Sequence, residues 1–69
     1  MKEGKFRSYD GLPLTLTVPE VGEVLGISRA KAYDLARSEG FPSMRIGTRI
    51  LVPRDKLIRW IDKETEAQI

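Results

Sequence analysis

Residues 17–40, "TVPEVGEVLGISRAKAYDLARSEG", carry the start and stop signals of two short helices joined by a tight turn. Thr17 and Glu20 have the spacing of a capping box, in which the threonine hydroxyl accepts from the glutamate amide and the carboxylate reaches back. The apolar residues that follow recur at helical spacing, and Gly26 stands where a left-handed residue ends a helix. We therefore predict a first helix of about two turns, too short to be stable without a packed neighbour.

The second helix is predicted from a cap of its own. Ser28 is the N-cap, the helix runs from Arg29 toward Glu39, and Gly40 is the expected stop. Its packing face consists of small or apolar residues, namely Ala32, Leu35 and Ala36. The rest of its surface is rich in hydrogen-bonding groups, which are Arg29, Lys31, Tyr33, Asp34 and Arg37.

From Met44 to Val52 the period changes to two, which predicts a β-hairpin with Gly47 and Thr48 at the tip. Two registers are open. A two-residue loop places Arg49 on the face of Met44 and Ile46, whereas a three-residue loop, 47–49, aligns Met44, Ile46, Ile50 and Val52. We favour the three-residue loop, because it leaves Arg45 and Leu51 outward and Arg49 at the tip.

The ends of the chain are predicted from turn residues and from loss of pattern. Residues 1–13 mix charges with glycine and proline, so we expect a flexible N-terminal arm. Pro53 is expected to open the last helix, whose buried stripe is formed by Leu57, Ile58, Trp60 and Ile61. Beyond Asp62 the apolar pattern stops, so residues 63–69 are expected to fray and the folded domain to span 14–62.

Length and composition exclude several classes of function. A chain of 69 residues makes one domain with a thin core, burying about 60% of the surface that the unfolded chain exposes. It contains no cysteine and no histidine, so we expect no disulfide, no zinc or iron site and no cofactor. No apolar run is long enough to cross a bilayer or to act as a signal peptide, so we expect a cytoplasmic protein without a membrane partner.

Positive charge is concentrated in the middle of the chain. Residues 28–54 hold six basic and two acidic groups, a net charge of +4, whereas the remainder holds six basic and eight acidic groups, a net −2. A basic segment inside an otherwise slightly acidic chain indicates a polyanionic partner.

The predicted order is helix, turn, helix, β-hairpin, helix, a mainly α fold with a small β-hairpin. Two short helices joined by a tight turn with glycine form the helix-turn-helix signature, in which the second helix enters the major groove of DNA. The hairpin is then a wing, and the fold is a winged helix-turn-helix. Because the basic segment coincides with the second helix and the wing, we predict that the partner is double-stranded DNA.

Nine residues are candidate DNA contacts. On the second helix, the N-terminus capped by Ser28 can face a phosphate, Arg29 and Lys31 can reach phosphates or guanine, and Tyr33 can contact a thymine methyl or the backbone. Arg37 lies farther along that helix. On the wing, Gly47 permits close approach to DNA, and the backbone or an adjacent minor groove can be met by Arg45, Thr48 and Arg49.

The chain also resembles a known family in the fragments "LTVPE", "LGIS", "AYDLARSEGFP", "RIGTRILVP" and "LIRWI". In this order they are similar to the small excisionase-type helix-turn-helix domains, related to the DNA-binding domains of the MerR family and found in phages and integrative elements. The resemblance covers residues 16–61, which are 46 of the 69. One departure is Gly22, where such domains usually carry alanine, and it predicts a looser first helix.

The resemblance implies site-specific DNA binding, either as an excisionase that sets the direction of recombination or as a small transcriptional regulator. It implies the same recognition-helix and wing residues apart from Ser28, with an integrase or other recombinase, or a second copy on DNA, as a further partner. No small-molecule ligand is expected.

Single candidate residues also have interpretations that do not involve DNA. Any one basic side chain can simply be solvated, Tyr33 can pack against the first helix, and Arg54 is expected to pair with Asp55 rather than with DNA. An enzyme is not expected, because the chain has no histidine or cysteine to act as base or nucleophile. The alternative function is that of a protein-interaction adaptor or antirepressor that uses the winged fold.

Overall fold

Three helices and a three-stranded antiparallel sheet make up residues 11–67, which are the residues that the computed structural model describes. In chain order the elements are β1 (Thr15–Thr17), α1 (Val18–Leu25), α2 (Arg29–Arg37), β2 (Met44–Ile46), β3 (Arg49–Pro53) and α3 (Arg54–Ala67). The predicted fold class is confirmed: the protein is mainly helical, with a β-hairpin in the position of a wing.

The first helix has the predicted caps. Thr17 is in an extended conformation, its hydroxyl accepts from the Glu20 amide at 3.3 Å, and its own amide donates to the Glu20 carboxylate at 2.9 Å. At the other end Gly26 has a φ of 71° and closes the helix on the carbonyl of Gly22. Local sequence therefore sets both ends of α1, as expected.

The second helix starts as predicted but ends earlier. The Ser28 hydroxyl accepts from the Lys31 amide at 3.2 Å, which confirms the N-cap. The helix stops at Arg37, so its predicted extension toward Glu39 is wrong. Ser38 is extended, and both its amide and its hydroxyl donate to the Leu35 carbonyl, at 3.0 and 2.6 Å.

The early stop has a reason in the packing of the next residues. After Ser38 the chain turns through Gly40, which has a φ of 89°, and brings Phe41 into the core at 7% exposure. The Phe41 ring meets the Trp60 ring edge to face, with centroids 4.9 Å apart. A helix continued to Glu39 would carry Phe41 away from this contact.

The tip of the hairpin also differs from the expectation. β2 and β3 pair antiparallel with Ile46 directly opposite Arg49, so only Gly47 and Thr48 form the loop. The three-residue loop that we favoured from the sequence is therefore wrong. Gly47 has a φ of 62°, and a glycine with positive φ at the first loop position is typical of the two-residue type II′ turn.

The third strand, β1, fixes which face of β3 is buried. β1 pairs antiparallel with β3 so that Leu16 lies opposite Val52, and both residues are fully buried. Because side chains alternate along a strand, this pair fixes the inner face of the sheet, which Ile50 and its partner Arg45 share. The outer face of the hairpin carries the other set, Met44, Ile46, Arg49 and Leu51.

The last helix is longer than predicted. Pro53 is the final residue of β3, immediately before α3, and the helix continues to Ala67, so residues 63–67, which were expected to fray, belong to the helix. Residues 68–69 lie outside the described part. Of the predicted apolar stripe, Leu57 is fully buried, while Ile58, Trp60 and Ile61 are half-buried. No helix within residues 11–67 is long and apolar enough to cross a membrane.

One residue of the predicted N-terminal arm belongs to the core. Leu12 is 4% exposed and packs with Leu16 and Leu57, and its carbonyl accepts from Arg54 Nη1 at 3.1 Å. The arm prediction is therefore wrong at Leu12, and for residues 1–10 it lies outside the described residues. Arg54 also pairs with Asp55 through Nε at 3.3 Å, as expected.

The core consists of two clusters. One joins the sheet to the helices and contains Leu12, Leu16, Val21, Phe41, Val52 and Leu57; the other lies between α1 and α2 and contains Val18, Ala32 and Ala36. Gly22 is buried where these helices meet, and a Cβ added there would lie 3.3 Å from Ala32 Cβ and from the Ile27 carbonyl oxygen. The glycine thus permits the close approach of α2, in addition to its predicted effect on α1.

Candidate nucleic-acid interface

The N-terminus of α2 is open to an anion, whereas that of α1 is occupied. At α1 the carboxylate of Glu20 already binds the capping residue. The first turn of α2 contains no acidic residue, and Ser28, Arg29 and Lys31 are all exposed there. The positive end of the helix dipole and two cations therefore act together at the start of α2.

Tyr33 lies between the core and the surface. It is half-buried and packs against the cluster of Val18, Ala32 and Ala36, so the structural role considered from the sequence is present. One turn farther along, the Arg37 guanidinium lies 5.9 Å from the centroid of the tyrosine ring, a cation–π distance. This contact limits where the exposed Arg37 side chain can point, because its neighbour is fixed by packing.

The candidate residues of the wing, the β2–β3 hairpin, are all exposed. Gly47 and Thr48 form the tip, and nothing lies within 4 Å of a Cβ built on Gly47. Arg45 and Arg49 project from opposite faces, since Arg45 is paired with Ile50 and Arg49 with Ile46. The two arginines can therefore reach different sides of anything that the wing enters.

α2 and the wing border a common groove with a volume of about 320 Å³. Tyr33 from α2 and Thr48 and Arg49 from the wing border it, although they are far apart in sequence. Its other lining residues are Thr17, Val18, Pro19 and Ile50. Sequence reasoning missed these four as part of a site, because capping and apolar spacing assign all of them to the fold alone.

The chemistry of this groove suits the backbone of a polyanion. Arg49 is the one charged side chain among its lining residues, and Tyr33 and Thr48 add hydroxyl groups, whereas Val18, Pro19 and Ile50 form apolar walls. A sugar–phosphate backbone has both components, since the phosphates are charged and the deoxyriboses expose carbon. Ser28, Arg29, Lys31, Arg37, Arg45 and Gly47 lie outside the groove lining.

The comparison with protein families agrees with this geometry. A family model described as a helix-turn-helix domain matches residues 15–65, from the first residue of β1 into α3. The chain belongs to this excisionase-type helix-turn-helix family. It is accordingly a DNA-binding helix-turn-helix protein. No curated protein and no solved structure gave a significant match.

Among the described residues, the basic side chains of the central segment form few ion pairs. Within residues 11–67 the one ion pair joins Arg54 to Asp55, so the other basic residues of the central segment pair with no described carboxylate. These residues are Arg29, Lys31, Arg37, Arg45 and Arg49. Among the same residues no three acidic side chains cluster to hold a metal ion.

Proposed function

We propose that the protein binds specific sites in double-stranded DNA, with α2 in the major groove and the wing on the flanking backbone. The observation that supports this most is the shared border of α2 and the wing, where Tyr33, Thr48 and Arg49 meet at one groove. Cations that pair with no carboxylate of residues 11–67 continue on either side of it, on the α2 surface and on both faces of the hairpin.

We propose the same site residues as the sequence predicted. Ser28, Arg29, Lys31, Tyr33 and Arg37 act from α2, and Arg45, Gly47, Thr48 and Arg49 act from the wing. Base discrimination belongs to the helix, because the major groove distinguishes all four base pairs. The wing contacts sugar and phosphate and thereby holds the helix in register.

We propose that the biological role is that of an excisionase or a small transcriptional regulator of a phage or mobile element. Family membership supports this, as does size: the longest dimension is 35 Å, about one helical turn of DNA. A longer site therefore takes several copies, and their joint placement bends it. A recombinase, or a second copy on DNA, is the proposed protein partner, and no enzymatic activity is proposed.

The test is a fluorescence-anisotropy titration of labelled duplex from the DNA flanking the protein's own gene, at two salt concentrations, with unlabelled random duplex as competitor. If about four to six phosphates are contacted, log affinity falls with log salt at a slope near −4 to −5. Random duplex should fail to displace the specific site. Absence of binding at low salt would refute the proposal.

The alternative of a protein-interaction adaptor is supported by one observation. The outer face of the wing exposes Met44 and Ile46, at 40% and 57%. Docking through apolar surface depends weakly on salt, whereas phosphate contacts depend on it steeply. The same titration, repeated with a candidate integrase or repressor in place of DNA, separates the two functions.

A further inference from the structure

Three large apolar side chains are exposed within the described part of the chain: Leu14 at 75%, Ile46 at 57% and Met44 at 40%. Two of them belong to the wing, although the wing is also where arginines meet solvent. Ile46 is the last residue of β2, directly before the tip. Neither the core nor the groove beside α2 uses it.

The register pairs this isoleucine with an arginine. Ile46 lies directly opposite Arg49, so the two side chains project from the same face of the hairpin, with Cβ atoms about 5 Å apart. The tip beyond them is open at Gly47, because no described atom lies within 4 Å of a Cβ built there. From Met44 to Pro53 the hairpin has two arginines and no acidic residue.

An exposed isoleucine beside an arginine, on a hairpin without acidic residues, fits the minor groove of DNA. Arginine is attracted by the negative potential there, most strongly where the groove is narrow. Neighbouring strands lie about 4.8 Å apart before their side chains are counted, and the minor groove is only about 6 Å wide. The wing tip can therefore enter only if the groove opens.

We propose that Ile46 is an apolar wedge that opens the minor groove at the wing, partly unstacks one base step and bends the DNA, while Arg49 holds the adjacent backbone. Exposed isoleucine is one of the side chains able to insert between base steps, which kinks the duplex toward the major groove. The flexible pyrimidine–purine steps unstack at the lowest cost, so such a step should lie under the wing.

The inference rests on the proposed function, which places the wing on the backbone flanking α2, and it adds entry of the wing tip into the adjacent minor groove. It adds a bend made by a single copy, distinct from bending by several copies on a longer site. Met44 shares the face of Ile46 but lies two residues, about 6.6 Å, farther from the tip. It is therefore placed to cover the groove wall and not to enter a base step.

The experiment measures bending on a duplex that holds one site, end-labelled for energy transfer and carrying 2-aminopurine at the step under the wing. The wild-type chain should shorten the end-to-end distance and raise the 2-aminopurine fluorescence. Ile46→Thr keeps a β-branched residue in the strand but makes the wedge polar, and both signals should be lost. Affinity should change by less than about tenfold, because the cost of bending disappears together with the contact.

Two further variants sharpen the comparison. Ile46→Val keeps an apolar, β-branched side chain and should retain most of the bend. Leu14→Thr removes the most exposed of the three large apolar side chains named above, at a position outside the wing, and should alter neither signal. Circular dichroism melts of all variants check that the fold is unchanged.

The outcomes separate this inference from the function on which it rests. If the wild-type chain fails to bind any duplex, both fall. If the wild-type chain binds the duplex without bending it, or if Ile46→Thr bends DNA as the wild type does, only the proposed role of Ile46 is overturned. Unchanged bending together with lost self-association or lost recombinase binding would instead make Ile46 a protein contact.

Discussion

At the scale of single residues, the proposed interface assigns base recognition and backbone binding to different arginines. Arg37 belongs to α2, where Tyr33, itself fixed by packing, holds its guanidinium at 5.9 Å from the ring centroid. Arg49 belongs to the wing and borders the groove proposed for the backbone. An arginine at base edges and an arginine at phosphates should respond differently to substitution, although each loses the same charge.

Arg37→Ala should therefore reduce the ratio of specific to random binding, whereas Arg49→Ala should weaken both by similar factors and flatten the salt slope by about one unit. Anisotropy titrations of both variants on specific and random duplex measure this. Arg59→Ala, which removes one charge at an exposed position of α3, is the matched control. An equal, uniform effect of Arg37→Ala and Arg49→Ala would contradict the separation of roles.

At the scale of elements, the N-terminal caps of the two helices of the motif differ in whether they leave the helix N-terminus open to an anion. The α1 cap is closed by Glu20 and holds the helix to the end of β1, whereas the α2 cap uses only the Ser28 hydroxyl. The start of α2 therefore keeps its positive potential, which a phosphate can use. In the same way the sheet stabilises the wing: β1 pairs with β3 and leaves the tip free.

Substitutions at Ser28 separate stability from binding. Ser28→Ala removes the cap and should lower the free energy of unfolding by about 1 kcal/mol, measured by urea denaturation. Ser28→Asp keeps a capping oxygen, so the free energy of unfolding should stay near that of the wild type, but its charge should repel a phosphate and weaken DNA binding. Wild-type affinity in Ser28→Asp would mean that the start of α2 does not face the backbone.

At the scale of the whole molecule, one small core supports an exposed basic surface. The fully buried side chains are few, with Leu16, Val52 and Leu57 at the junction of sheet and helices. Domains of this size are marginally stable, so binding to the folded state contributes visibly to the melting temperature. The self-repulsion of the central cations is relieved in the same event, since DNA supplies the anions.

The melting temperature should therefore rise on addition of specific duplex. With free duplex at a hundred times Kd, the stabilisation is about 2.7 kcal/mol, which corresponds to a rise of roughly 10–20 °C for a domain of this size. Because salt weakens phosphate contacts, the rise should shrink at higher salt when the duplex concentration is held constant. Thermal melts at two salt concentrations, with and without duplex, measure it. An equal rise at both would contradict binding through phosphates.

Local sequence predicted the features that local chemistry controls. The capping box at Thr17, the glycine that ends α1, the Ser28 cap and the alanine face of α2 are all present, because each depends on residues within one or two turns. The order of the three helices and the hairpin follows from the same signals, whereas β1 was not among the predicted elements. The basic segment was also visible, although which of its residues touch DNA stays a prediction.

Contacts between distant residues decided what the sequence left open. Leu16 opposite Val52 fixed the buried face of β3, and the two-residue loop at Gly47 and Thr48 placed Ile46 beside Arg49 on the outer face, in place of the register favoured for the hairpin. The contact between the rings of Phe41 and Trp60 is the reason that α2 ends earlier than predicted. The groove between Tyr33 and Arg49 exists only because α1 packs against both α2 and β3 and so sets the position of α2 relative to the wing. Periodicity records which side chains can be buried together, but only tertiary packing selects which of them are.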